Sequence, residues 1–296
     1  MRAPRITVRS RLFDSPLVGA HVSTRGGVHQ APARAAAIGA TALQIFTKTP
    51  NQWREPALDE ITIREFKNEL VRTGMRSAIA HDSYLINLAS PDPALSARSI
   101  TSFIAELRRS HALGLDAVVS HPGNYIDDAA RGLKRNAAGY TRCLRRVQGN
   151  VMLYIEATAG TGTSLGSRFE ELAELRALIG ADVRDRVGFC IDTCHLYSAG
   201  YDLVSDYDGV WAEFDRVVGL EHLKCFHLND SKTPFRSRRD RHELIGEGTL
   251  GAEPFRRIMK DARFAGIPKL IETPKGDDEV TLDRKTIRKL KRYAGG

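Results

Sequence analysis

Apolar positions along this chain come in two rhythms. Short apolar runs are separated by longer stretches in which apolar residues recur every three or four positions. The runs fit buried strands, and the slower rhythm fits helices with one face against a core. Taken in order, the runs predict strands at Leu17–Ala20, Ala42–Phe46, Ser77–Ala80, Ala117–Ser120, Val151–Ile155, Arg186–Ile191, Leu223–Leu228 and Lys269–Ile271. Helices are predicted after each, at Gln30–Ile38, Ile61–Arg72, Ala94–Leu113, Leu133–Val147, Ser167–Ile179, Asp208–Val218, Glu253–Asp261 and Leu282–Arg292. Alternation of this kind implies a parallel sheet, and eight strand-then-helix units at 296 residues imply closure. The expectation is an α/β protein, a (β/α)8 TIM barrel, a fold that needs ~250 residues. An open doubly wound sheet is the alternative that the pattern leaves open.

Composition narrows the class. An apolar share of 42% and a charged share of 27% describe a globular chain with ample core. No run approaches the ~18 apolar residues of a membrane span, and no apolar signal segment is seen, so no membrane association is expected. Residues 1–14, with Arg2, Arg5, Arg9 and Arg11, read as a basic solvated tail, and 15–296 as a single domain. The four cysteines, Cys143, Cys190, Cys194 and Cys225, contain no Cys-x-x-Cys pair. They read as reduced thiols of a cytoplasmic protein. A net charge of +8 fits a polyanionic partner such as nucleic acid. The loop glycines of Gly160-Thr-Gly162 and Gly246-Glu-Gly248 lack a phosphate-loop pattern, so no nucleotide cofactor is expected.

Chemistry gathers where the strands end. In a barrel of this kind, reactive groups collect at the C-terminal ends of the strands. His81, His121, Glu156, Asp192, His227 and Glu272 fall at the ends of six successive predicted strands. His195 lies one turn past Asp192, and Asp240 and His242 share one side of an extended segment. A mixture of imidazoles and carboxylates suits zinc, manganese or iron better than magnesium or calcium. Nine such ligands exceed the needs of one ion or two and suit three, with one carboxylate shared. Three divalent ions against four carboxylates leave a positive surplus, which favours an anionic phosphate over a neutral sugar. His21 ends the first strand at the same rim, where it would orient ligands or simply pack. His29, His111 and His222 read as surface or packing residues.

The segments GAHVSTRGG (19–27), HDSYLINLASP (81–91), HPGNY (121–125), IEATAGTGTSLG (155–166), CIDTCHLYSAGYD (190–202), FHLNDSKTPFRSRRDRHELIGEG (226–248) and LIETPKGD (270–277) resemble, in order, the signatures of the endonuclease IV family. That resemblance implies a barrel related to xylose isomerase and a hydrolase that is a phosphodiesterase of the deoxyribonuclease IV type. It implies base-excision repair: cleavage 5′ to abasic sites in double-stranded DNA, with trimming of blocked 3′ ends, by a monomer. It also implies a zinc held by His81, His121 and Glu156, a second by Glu156, Asp192, His227 and Glu272, and a third by His195, Asp240 and His242, with manganese admissible. Glu156, the shared ligand, is the expected catalytic residue. Tyr84 and Leu85 match the family's wedge into DNA, and Lys48, Arg54, Lys232, Arg236 and Arg238 are expected on phosphates. Two positions depart from the pattern. Asn51 stands where the family commonly has an Arg before Gln-Trp, and Ala157 replaces an Asn beside the shared carboxylate. A sugar isomerase or epimerase on the same barrel, using Glu156, Asp192, His227 and Glu272, is the rival expectation.

Overall fold

The structure, a computed structural model, describes residues 16–295. The expected tail at 1–14 lies outside them. Eight parallel strands close a barrel: β1 (Val18–His21), β2 (Ala42–Phe46), β3 (Ser77–His81), β4 (Ala117–Ser120), β5 (Met152–Glu156), β6 (Val187–Asp192), β7 (Leu223–His227) and β10 (Lys269–Ile271). Between the last two, β8 (Asp230–Ser231) and β9 (His242–Glu243) pair antiparallel as a small flap. The outer helices are α1 (Ala31–Ala37), α2 (Glu60–Thr73), α3 (Pro93–Leu113), α4 (Ala129–Arg146), α5 (Phe169–Leu178), α7 (Tyr207–Val217), α8 (Glu253–Lys260) and α9 (Thr281–Tyr293), while α6 (Thr193–Ala199) sits at the barrel mouth. The closed order excludes the open sheet.

Local chemistry explains several boundaries. Asp59 and Asp92 accept from Thr62 N and Ala94 N to start α2 and α3. Gly74 and Gly114, with φ of 66° and 75°, end them in a left-handed turn that suits a residue without a Cβ. The helix expected from Leu133 starts at Ala129, because Asp128 accepts from Arg131 N and caps it there. Helix α6 was not foreseen. Its residues up to Ser198 are all buried, so it carries no polar face for periodicity to reveal.

Alternation along the strands divides the core into two layers. One set, including Leu43, Ile45, Val118, Ile155, Phe189 and Ile191, packs outward under the helices. The other, Ala42, Ile79, Ala117, Val119, Tyr154, Cys190, Cys225 and Leu270, fills the barrel interior. Two residues further along each strand, the inward column turns polar. Gln44, His81, His121, Glu156, Asp192, His227 and Glu272 follow Ala42, Ile79, Val119, Tyr154, Cys190, Cys225 and Leu270 respectively. The rim therefore inherits its polar ring from strand parity, and a one-residue slip would bury it among helices.

Candidate metal centre

Nine side chains meet at this rim in three groups, each with ligand atoms within 4.8 Å of one another: His81, His121 and Glu156; Glu156, Asp192, His227 and Glu272; His195, Asp240 and His242. Glu156 belongs to two of them. Burial is graded: Glu156, Asp192 and His227 are fully enclosed, whereas the side chains of His121 and Asp240 are 39% and 47% exposed. The cluster thus has a dry floor and a wet mouth. Over it opens a cavity of about 470 Å³ bordered by Phe46, Tyr84, His121, Asp240 and Thr273.

Asp192 serves twice. Its Oδ1 accepts from His195 N at 2.9 Å and caps α6, while Oδ2 accepts from Asn229 Nδ2 at 2.7 Å and lies 3.4 Å from His242 Nε2. A cap at a strand end and a ligand are compatible here because a carboxylate has two oxygens. The cap also brings the imidazole of His195 round to the mouth.

The ring nitrogens show what the centre is built to hold. His81 Nδ1 donates to the Asp82 carbonyl (2.9 Å), His195 Nδ1 to the Ala157 carbonyl (2.9 Å) and His242 Nδ1 to the Glu272 carbonyl (3.2 Å). His227 Nε2 donates to Gln44 Oε1 at 2.8 Å. Each ring spends its N–H on an oxygen behind it, so in the neutral form the other nitrogen points a lone pair at a carboxylate. Those pairs are His81 Nε2 to Glu156 Oε2 (3.2 Å), His195 Nε2 to Asp240 Oδ2 (3.2 Å), His242 Nε2 to Asp240 Oδ1 (3.1 Å) and His227 Nδ1 to Glu156 Oε1 (3.1 Å). Lone pair against carboxylate is repulsive unless a cation lies between them. Metal-binding histidines are oriented this way by carbonyls behind them. The donor set and its geometry therefore fit divalent ions.

Without ions, protons must take their place. Burial opposes charge on His81 and His242, but the facing carboxylates outweigh it and raise both to about 9. His195 and His227 are raised in the same way. Burial favours a neutral Glu156, Glu272 and Asp240, yet the surrounding imidazoles hold all three below the ordinary carboxylate range.

Two orienting residues were not singled out from sequence. Gln44 accepts from His227 and donates to Glu272 Oε1 (2.7 Å) and His21 Nδ1 (3.0 Å). Asn229 holds Asp192 from one end of its amide and accepts from Glu272 N at 2.8 Å with the other. A polar Gln inside the apolar run Ala42-Leu-Gln-Ile-Phe46 was the available signal. His21 stands behind Glu272 rather than in any of the three groups. Gln44→Leu leaves the His227 N–H without an acceptor and should weaken metal affinity by roughly 10–100-fold. Equilibrium dialysis against a chelating buffer measures this; unchanged retention would mean that the amide orients nothing.

The expected DNA contacts divide. Tyr84 is 64% exposed at the mouth, its ring edge-on to Phe46 at 5.3 Å, and Leu85 beside it is half-buried. Asn51, Arg54, Lys232, Arg236 and Arg238 are exposed. Arg236 and Arg238 have φ of 60° and 52°, an uncommon left-handed backbone that is held by bonds from their N–H groups to Tyr197 and Ser198 carbonyls. Lys48 is a correction. Its side chain is 1% exposed, and its ammonium donates to Glu55 Oε1 (2.7 Å), Ser102 Oγ (2.9 Å) and the Gln52 carbonyl (3.0 Å). It braces the loop that carries Asn51 against α3 and has no free charge for a phosphate.

Known proteins share this outline. Residues 32–293 match the family of the xylose isomerase-like TIM barrel. A probable endonuclease 4 of Geobacter sulfurreducens is 44% identical over 281 residues, covering 93% of this chain and 94% of the relative. One from Chloroflexus aggregans is 46% identical over 281 residues, covering 93% and 97%. The crystal structure of endonuclease IV from Thermus thermophilus superposes with a TM-score of 0.84 at 36% identity, covering 95% of this chain and 99% of that one. A D-psicose 3-epimerase from Clostridium cellulolyticum, at 17% identity and a TM-score of 0.60 over 90% and 89%, shares the fold alone.

Proposed function

Because this chain belongs to the endonuclease IV family of xylose isomerase-like barrels, we propose that it is a metal-dependent endonuclease of DNA repair. It hydrolyses the phosphodiester 5′ to an abasic site in double-stranded DNA, leaving a 3′-hydroxyl and a 5′-deoxyribose phosphate, and trims blocked 3′ ends. The observation that carries this reading is the surplus of ligands. Glu156, Asp192, His227 and Glu272 would satisfy one ion, as a sugar isomerase or epimerase needs. His81, His121, His195, Asp240 and His242 then have no purpose unless more positive charge is wanted, and a phosphodiester is the substrate that wants it.

A phosphodiester resists hydrolysis because its charge repels nucleophiles and its alkoxide leaves poorly. When bound, divalent ions, zinc first and manganese admissibly, supply Lewis-acid charge for the phosphate oxygens and acidify water. The chain's part is placement. Glu156 spans two ligand groups and fixes their spacing, while Gln44 and Asn229 hold Glu272 and Asp192 in position. Tyr84 and Leu85 enter the base stack beside the lesion, where extrusion costs least because no base remains to unpair. Arg54, Lys232, Arg236 and Arg238 neutralise backbone phosphates, which makes affinity salt-dependent.

The test is a synthetic duplex with one abasic site. A nick on its 5′ side, with a 3′ end that a polymerase extends, is the expected product. An intact duplex together with ketose formation from an aldose would replace this reading with the sugar isomerase. Asn51 offers a further check at the loop braced by Lys48. Asn51→Arg adds a cationic wedge and should tighten binding to abasic duplex roughly tenfold, ~1.4 kcal/mol. Fluorescence anisotropy at fixed salt measures this, and an unchanged Kd would mean that the loop does not enter the DNA.

A further inference from the structure

Directly under the oxygen and nitrogen ligands lies a layer of sulfur. Cys190 pairs with Cys225 across β6 and β7, and two residues on, Asp192 pairs with His227. Since strand side chains alternate, Cys190 points with Asp192 and Cys225 with His227. Both thiols are fully buried and free, inside the barrel beside Tyr154 and Val119. The two sulfurs and a ring nitrogen of His227 lie within 4.8 Å of one another. Ligands around one tetrahedral ion with ~2.3 Å metal–sulfur bonds stand about 3.8 Å apart, so a contraction of at most about an ångström completes a Cys2His site.

We propose that Cys190, Cys225 and His227 form a second kind of cation site, selective for soft, thiophilic ions such as Cd2+, and that filling it disables the centre above. Thiolates hold soft ions such as Cd2+ more tightly than carboxylate oxygens do. On binding, each thiol passes its proton to solvent as a sulfur–cation bond forms; two protons leave and no electron is exchanged. His227 is the coupling. One ring nitrogen already holds Gln44 and the other faces Glu156, so an ion drawn below takes either a ligand or that ligand's orientation from the rim. This goes beyond the nuclease reading, and its primary readout is spectroscopic, so the two fail separately.

The experiment titrates cadmium chloride into the metal-loaded protein and follows the ultraviolet sulfur-to-cadmium charge-transfer band together with the cadmium NMR shift. The band should saturate with the unaltered protein and with Cys143→Ala, a thiol remote from the site, and vanish in Cys190→Ala and in Cys225→Ala. Half-inhibition of DNA cleavage should need roughly tenfold more cadmium in those two variants. Cys194 lies against Asp192 and His242, so a band lost only in Cys194→Ala would place the sulfur ligand there and overturn the proposal. So would a band indifferent to Cys190 and Cys225. Should the alanine variants fail to fold, the unaltered protein decides alone: a cadmium resonance shifted downfield as two thiolates require supports the site, and one at an oxygen-and-nitrogen position refutes it.

Discussion

Glu156→Gln should reduce DNA cleavage by roughly three orders of magnitude or more, a loss of at least ~4 kcal/mol in transition-state stabilisation, while the fold survives. Glu156 is wholly buried, with Oε2 near His81 and His121 and Oε1 near His195 and His227. Glutamine has the same shape, and its amide can donate to imidazole lone pairs, so packing is kept. What it removes is a negative charge and one of the two oxygens through which Glu156 serves two groups. An amide nitrogen does not replace that oxygen on a divalent ion. Single-turnover cleavage of the abasic duplex, with circular dichroism as the folding control, reads the result. A variant that cuts near the parent rate would show that Glu156 does not bridge the centre.

The second large effect concerns the stripped protein. His81 and His242, ordinarily near 6.5, are raised to about 9 against the facing carboxylates. A raised folded-state pKa stabilises fully below the unfolded value and loses that stability as pH rises through the folded value. Chelated protein should therefore lose stability between pH 6.5 and about 9, on the order of a few kcal/mol, with Tm falling by several degrees. Metal-loaded protein should not show this loss, because ions then occupy the lone pairs in place of protons. Burial lowers Lys269 from 10.5 to about 8, which acts in the opposite direction in both forms and cancels in the comparison. Differential scanning calorimetry across this pH range, with and without chelator, measures the difference. Parallel curves would mean that the histidines face no shared cation.

Much of the site was legible because strand parity is a local property. Once the apolar runs were read as strands, the residues at their ends had to share one rim, and the nine ligand candidates do come together there. What escaped depends on partners distant in sequence. Lys48 looked like a rim cation, but whether a loop lysine faces solvent is decided by Glu55 and by Ser102 on α3, which its own neighbourhood does not reveal. Helix α6 is enclosed on all sides, and the flap strands are two residues each, too short for any period to register. Tyr84 shows the reverse case. As an aromatic in a loop it would ordinarily be packed beneath it, and only the structure shows its ring exposed, edge-on to Phe46, rather than in the core.

The number of ions bound per chain bears on the centre most directly. Elemental analysis of the purified protein, normalised to protein concentration, should return about three divalent ions per chain, one for each ligand group, with zinc the main element. A single ion per chain, with full cleavage of the abasic duplex, would contradict a shared cage of nine ligands and leave most of these histidines without a role.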